Sequence, residues 1–433
     1  MRASTSRAVM ALTLAAGLAA TLPAVAADAA AAASSAASQP ENYVRPAFAA
    51  SFNAAQDALK NGNGTAALAK LKEVETIPDL SPYEKYLLLR LRGPAEYSIN
   101  DTAAAAADYD AILANRMLPA EDRPAMLKAL ASIYYGSEQY PKAAVALQRY
   151  FDAGGNDAQL KELLPQAQYA AKDYANAAKG FRAEVDAAYA AGHVPSEKLL
   201  RLEYSAYVGL KDEAGIVSAM EHLAVNYSKP DYWRDLIPRV REVDNFSERL
   251  VLDYYRLKTQ VFGQVDDRER LNYAAIAARA GYPGEAKKVL DAAAAGKPFA
   301  GNDLADANRL RPEVTRAAAA DAAQQAANET AARNAKDGNA LVTQGLLEAA
   351  TDNPAKGATL IEQGIAKGGL KQPEDAKLHL GYAQVRAGRD ADAMKTFQSV
   401  KGPNGLTELA HLWVLYLQSR QAPAAAPAAA ASR

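Results

Sequence analysis

Residues 376–400 read AKLHLGYAQVRAGRDADAMKTFQSV, and their spacing decides the fold. The stretch predicts two helices: Leu380 and Gly381 lie in the first, Gly388 ends it, and Ala393 followed by Phe397 opens the apolar face of the second. Antiparallel helices approach most closely where one offers only a methyl group, so Ala393 marks a crossing and Phe397, one turn on, fills the groove beside it. Gly388 suits the left-handed residue that closes a helix. Such a pair cannot bury its apolar face alone and needs neighbours of its own kind.

Working outward, the small-then-large marker recurs along the chain. It appears as Ala67 and Leu71, Ala105 and Tyr109, Ala143 and Leu147, Ala177 and Phe181, Ala286 and Leu290, and Gly357 and Ile361, with weaker copies near Ala214 and near Arg249 or Leu250. Successive markers stand roughly 34–38 residues apart, and the step from Ala286 to Gly357 is about twice that. Asn61-Gly62-Asn63-Gly64, Gly93-Pro94 and Gly281-Tyr282-Pro283 read as breaks between helices, and Pro141 as a helix start. The pattern resembles the tetratricopeptide repeat (TPR), with Lys377 standing where the motif has Trp. The resemblance implies an all-α fold, a right-handed α-α superhelix (solenoid) of about nine helix pairs.

The order expected along the chain follows from composition. Residues 1–26 read as a secretory signal peptide: Arg2 and Arg7 are the charged start, Val9 to Leu22 the apolar run, and Ala24-Val25-Ala26 a small-x-small cleavage site. That implies a periplasmic protein with no membrane span once the signal is cleaved. Residues 27–45 form an Ala/Ser tether with too little bulk to bury, and 46–300 the N-terminal solenoid. Residues 301–337 replace one unit with an Ala-rich polar helix, its beginning broken up by Asp303 and Pro312, and form a seam. Residues 338–421 return to repeats and end in a helix, with Leu409, Leu412, Trp413 and Tyr416 at helical spacing, expected to cap the stack; 422–433 are a Pro/Ala tail.

Several chemistries are excluded or unsupported. Lysine plus arginine total 49 against 50 acidic residues, so no basic field draws nucleic acid. There is no cysteine, hence no disulfide framework and no thiol catalysis. His193, His222, His379 and His411 are not spaced as ligands on one helical face, and no GxSxG, GxxxxGK[ST], SxxK or EF-hand loop occurs, so no metal, cofactor or catalytic residue is expected.

What remains is a binding surface. In the TPR family the first helix of each pair lines the surface where peptides lie. Carrying that pattern over places Lys128, Tyr135, Tyr169, Glu203, Tyr207, Arg234, Arg241 and Arg279 in a candidate peptide-binding groove. Tyrosines offer flat amphipathic area and arginines a fork for carboxylates, so an extended acidic peptide or a free C-terminus would suit. Trp233, with Leu236 and Val240 on its face, reads as core. The stretch from SKPDYWRDL (228–236) through AARAGYPGEAKKVLDAA (277–293) is similar to periplasmic TPR proteins found with TonB–ExbB–ExbD energy-transduction systems. The expectation is therefore a non-catalytic adaptor for an envelope protein or peptide. The alternative is a cell-wall-acting enzyme of the superhelical lytic transglycosylase type.

Overall fold

The computed structural model describes residues 42–263, 265–295 and 299–421. The expected signal, most of the tether and the Pro/Ala tail lie outside the described residues, which contain twenty α-helices and no strand. The chain divides into two compact units, residues 1–192 with 202–212, and residues 193–201 with 213–433. The division falls within helix α9 (Glu197–Leu210), whereas the stretch expected to be a seam lies inside the second unit.

The first unit is a TPR-like stack of antiparallel pairs: α1 (Pro46–Lys60) with α2 (Gly64–Glu75), α3 (Pro82–Ser98) with α4 (Thr102–Ala114), α5 (Arg123–Gly136) with α6 (Tyr140–Asp152), and α7 (Ala158–Ala170) with α8 (Tyr174–Ala190). Each pair closes through a left-handed residue, Gly62, Asn100, Glu138 or Lys172. The amide just after the left-handed residue then donates back toward the end of the helix, as Gln139 N–H does to the Tyr134 carbonyl at 2.8 Å. Asn63, Asp101 and Asp173 start the second helices by accepting from backbone amides. The markers Ala67, Ala105, Ala143 and Ala177 are all fully buried. Gly93-Pro94 does not break a helix as expected. α3 runs through both, because Gly93 lies under the Tyr109 ring, where a Cβ would sit 3.3 Å from it, and Pro94 removes one backbone donor without ending the helix.

The second unit holds α10 (Glu213–Tyr227), the short α11 (Pro230–Leu236) with a 3-10 stretch Ile237–Glu242, α12 (Val251–Phe262), α13 (Asp267–Arg279), α14 (Pro283–Ala295), α15 (Gly301–Asn334), α16 (Asn339–Ala350), α17 (Pro354–Lys367), α18 (Pro373–Arg386), α19 (Asp390–Ser399) and α20 (Leu406–Gln421). In α10 the marker is Ile216 with Met220, both buried, while Ala214 is exposed. The register counted from the left-handed Lys211, which no glycine announces, is two residues later than the sequence suggested. Trp233, Leu236 and Val240 are buried as a face should be.

Three features depart from a plain stack. α15 is one helix of 34 residues with Pro312 inside it, so its beginning is not broken up; it packs on α13, α14 and α16 through few buried residues, among them Ala307, Val314 and Ala332. α16 and α17 approach more closely than alanine allows: a Cβ on Gly357 would stand 2.6 Å from the Ala349 nitrogen and from the Gly345 carbonyl oxygen. Finally, α20 does not cap an end. It packs on α19 but also on α10 and α12, and buries Leu406, Leu409, Ala410, Leu412, Trp413, Val414, Leu415 and Leu417. A helix apolar on nearly every side belongs inside a body. Trp413 stacks on Phe397 at 5.3 Å between centroids, and Tyr416 reaches Trp233.

Candidate binding sites

The eight residues expected to form one groove are shared between the units. Lys128, Tyr135, Tyr169, Glu203 and Tyr207 fall in the first, and Arg234, Arg241 and Arg279 in the second. Lys128 on α5 is ion-paired to Asp157 at 2.6 Å, and Ser132 donates to the Lys128 carbonyl. Tyr135 and Tyr169 end α5 and α7, half-buried, each edge-on to the tyrosine that opens the next helix: Tyr140 at 5.4 Å and Tyr174 at 5.6 Å. Glu203 is a correction. It is fully buried on α9 and paired to Arg182 at 2.7 Å, so it meets no peptide. The Arg182 guanidinium also lies 5.8 Å from the centre of the Tyr207 ring. Tyr207 occupies the turn position of Tyr134, and Val208 that of Tyr135, which shifts the groove position by one residue.

In the second unit Arg234 is exposed and paired to Asp231 in its own turn, Arg241 stands over the Tyr254 ring at 5.5 Å, and Arg279 is exposed at the end of α13. α11 stops at Leu236 and the chain tightens to 3-10 geometry, so Arg234 and Arg241 do not share a single α-helical face.

The second unit also holds a polar centre that no sequence motif announces. Arg256 on α12 is 3% exposed. Its Nε and one terminal nitrogen donate to the two oxygens of Glu285 at 2.9 and 2.7 Å, and the other donates to Asp253 at 2.7 Å. Tyr282 and Tyr382 flank the guanidinium at 5.1 and 5.3 Å, the Tyr273 hydroxyl donates to Glu285 at 2.7 Å, and His379 Nε2 lies 3.3 Å from Asp253. Burial works against each charge here, yet His379 and Arg256 hold the Asp253 carboxyl at about 2, and Glu285 with Asp253 raises Arg256 well above its ordinary value. A visible signal existed: an Asp and an Arg three apart inside the apolar run VLDYYRL (251–257) must find partners once buried.

Beside this centre lies a cavity of about 380 Å³ lined from α12, α13, α14, α16 and α18, with Arg256, Tyr273, Glu285, Lys288, Tyr382 and Arg386 among its walls. That volume lies in the range of small-molecule sites. Among the described residues no group of His, Cys, Asp and Glu could hold a metal ion, and no helix is long and apolar enough to cross a membrane.

No family model matches the chain, and no curated protein matches it. Solved structures do resemble it. One is a chain from the structure of Naa15/Naa10 bound to HypK-THB, at 13% identity and a TM-score of 0.34 over 86% of this chain and 61% of that one. The P58(IPK) TPR domain is 11% identical with a TM-score of 0.23, over 86% of this chain and 99% of that one. Yeast Tom70 is 12% identical, also with a TM-score of 0.23, over 86% and 96%.

Proposed function

We propose that this chain is a non-catalytic scaffold, exported to the periplasm, that docks a cell-envelope protein or an extended peptide, in its most specific form an adaptor beside TonB-type energy transduction. The observation that carries the reading is the repetition in the first unit. α3, α5 and α7 each present a half-buried tyrosine, Tyr97, Tyr135 and Tyr169, whose carbonyl accepts from the amide of the left-handed turn residue that follows. Equivalent flat amphipathic side chains at one place on successive helices suit an extended partner, because tyrosine supplies contact area at small conformational cost. Export is supported by the sequence pattern of residues 1–26, and the TonB association by the resemblance within residues 228–293.

The test is a photo-crosslinking side chain placed at Tyr135 and, separately, at Tyr169 in the full chain in cells, with a third placement at Arg279 as the second-unit comparison. One defined protein crosslinked from both positions in the periplasmic fraction is the expected result. Retention in the cytoplasm would overturn export, and crosslinking from Arg279 alone would move docking to the second unit. Loss of turbidity when the purified protein meets cell-wall suspensions would overturn the non-catalytic part.

A further inference from the structure

We propose that the cavity of the second unit binds a small organic monoanion whose carboxylate sits between Arg386 and Lys288. This goes beyond protein docking and does not depend on it. The argument starts from unequal charge pairing. Arg256 is matched by Asp253 and Glu285, and Arg270, another wall of the cavity, by Asp267. At Arg386 the matching fails, and Lys288 is met only by an exposed carboxylate. Both direct donors at one neutral oxygen, the Thr351 carbonyl, at 2.8 and 3.1 Å.

Two cations that converge on one carbonyl repel each other, and water screens only their exposed sides. The carboxylate nearest at hand, Asp352, bonds Lys288 at 2.9 Å, but its side chain is 87% exposed, so it offsets little. Arg386 makes no ion pair among the described residues; it also donates to the Tyr382 hydroxyl at 3.0 Å and lies 5.9 Å from the centre of that ring. A guanidinium presents five donors in a planar fork, and two neutral oxygens leave it short of acceptors. A carboxylate fits that fork with two parallel bonds and would take the Lys288 ammonium as well.

The rest of the cavity describes the body of the ligand. Tyr273 and Tyr382 supply aromatic surface, and Val289, Ala292 and Ala350 supply apolar contact. Thr259, also a wall residue, keeps its hydroxyl buried, with no hydrogen-bond partner among the described residues. Glu285, 3% exposed and already in the wall, argues against a second negative charge. These features select a flat monocarboxylate over a phosphate ester.

The experiment titrates the full chain by calorimetry with 4-hydroxybenzoate and a set of aliphatic hydroxy acids. Phenyl phosphate and the neutral 4-hydroxybenzamide serve as the discriminating arms. Binding of an acid, absence of binding by the amide, and affinity weakened about tenfold or more in Arg386→Gln are expected. Ala292→Trp, at an exposed part of the wall, should block the cavity without moving the melting midpoint, so the test survives if Arg386→Gln misfolds. Equal binding of acid and amide, undiminished binding in Arg386→Gln and Ala292→Trp, binding of phenyl phosphate alone, or no binding by any acid would each overturn the proposal.

Discussion

In the first unit Arg45 reaches Glu84, 39 residues on, and Lys128 reaches Asp157, 29 residues on; these are contacts between successive helix pairs. In the second unit Arg249 grips Asp375 across 126 residues, and Gln260 meets Tyr416 across 156. Both units use small markers and left-handed turns, so the difference lies in how each array ends. Stacking on nearest neighbours makes stability a sum of local terms. A helix that returns to the beginning of its own unit, as α20 does to α10, makes the parts depend on one another, and it brings together charges far apart in sequence. The buried ionic centre and the cavity of that unit lie among α12, α13, α14, α16 and α18, where His379 reaches Asp253 across 126 residues.

The largest expected effect follows from that centre. Arg256→Ala would leave Asp253 and Glu285 buried without their cation and should cost about 3–5 kcal/mol. Both tryptophans, Trp233 and Trp413, lie in the second unit, so their fluorescence in a urea titration follows that unit. A fluorescence midpoint unchanged by the substitution would show that the ion cluster does not hold the unit together.

Packing comes next. Ala143→Leu in the first unit and Gly357→Ala in the second each force a side chain into a helix crossing and should cost about 1–3 kcal/mol. If crossings act alike in both, circular-dichroism melts drop for each variant, while tryptophan fluorescence responds to Gly357→Ala. A melt indifferent to Ala143→Leu would remove the basis for the repeat register.

The smallest effect is a pH dependence in the first unit. Burial, joined by the Asp108 charge, pushes the Glu96 carboxyl up to about 7 from an ordinary 4.5. A carboxyl raised in the folded state binds its proton more tightly there. Its contribution is therefore complete below about 4.5 and is lost as the pH rises through about 7. Glu96→Gln should flatten the melting temperature across that window, and parallel slopes for parent and variant would exclude Glu96 as the cause. Asp253 in the second unit has the opposite sign. Held at about 2, it contributes above its ordinary 3.8 and loses that contribution only as the pH falls through 2.

Most helix pairs were legible because their markers are local. Ala143 and Leu147, or Ala393 and Phe397, meet their own partner helix within one turn of chain, and composition alone shows the small-then-large step. The register differs at α10 because Ile216 stands where the other pairs carry alanine or glycine, so the small-then-large step is missing there. Glu203 was misplaced because its helix position resembles a surface position, and only the packed structure shows Arg182 covering it. The eight expected groove residues were assigned from first-helix positions of the motif, which carry no information about the unit each would join.

The sequence by itself determined that the chain forms helices and where most of them pair, since propensity, capping and marker spacing act within a few turns, and that thiol chemistry has no cysteine to use. Only tertiary structure decided that α15 runs through Pro312 as one helix, that α20 closes onto α10, and that Arg256, Glu285, Asp253 and His379 meet. The physical reason is range. A helix pair is settled by contacts a few residues apart, whereas closure is set by small rotations that accumulate over many pairs, and no short stretch of sequence contains their sum.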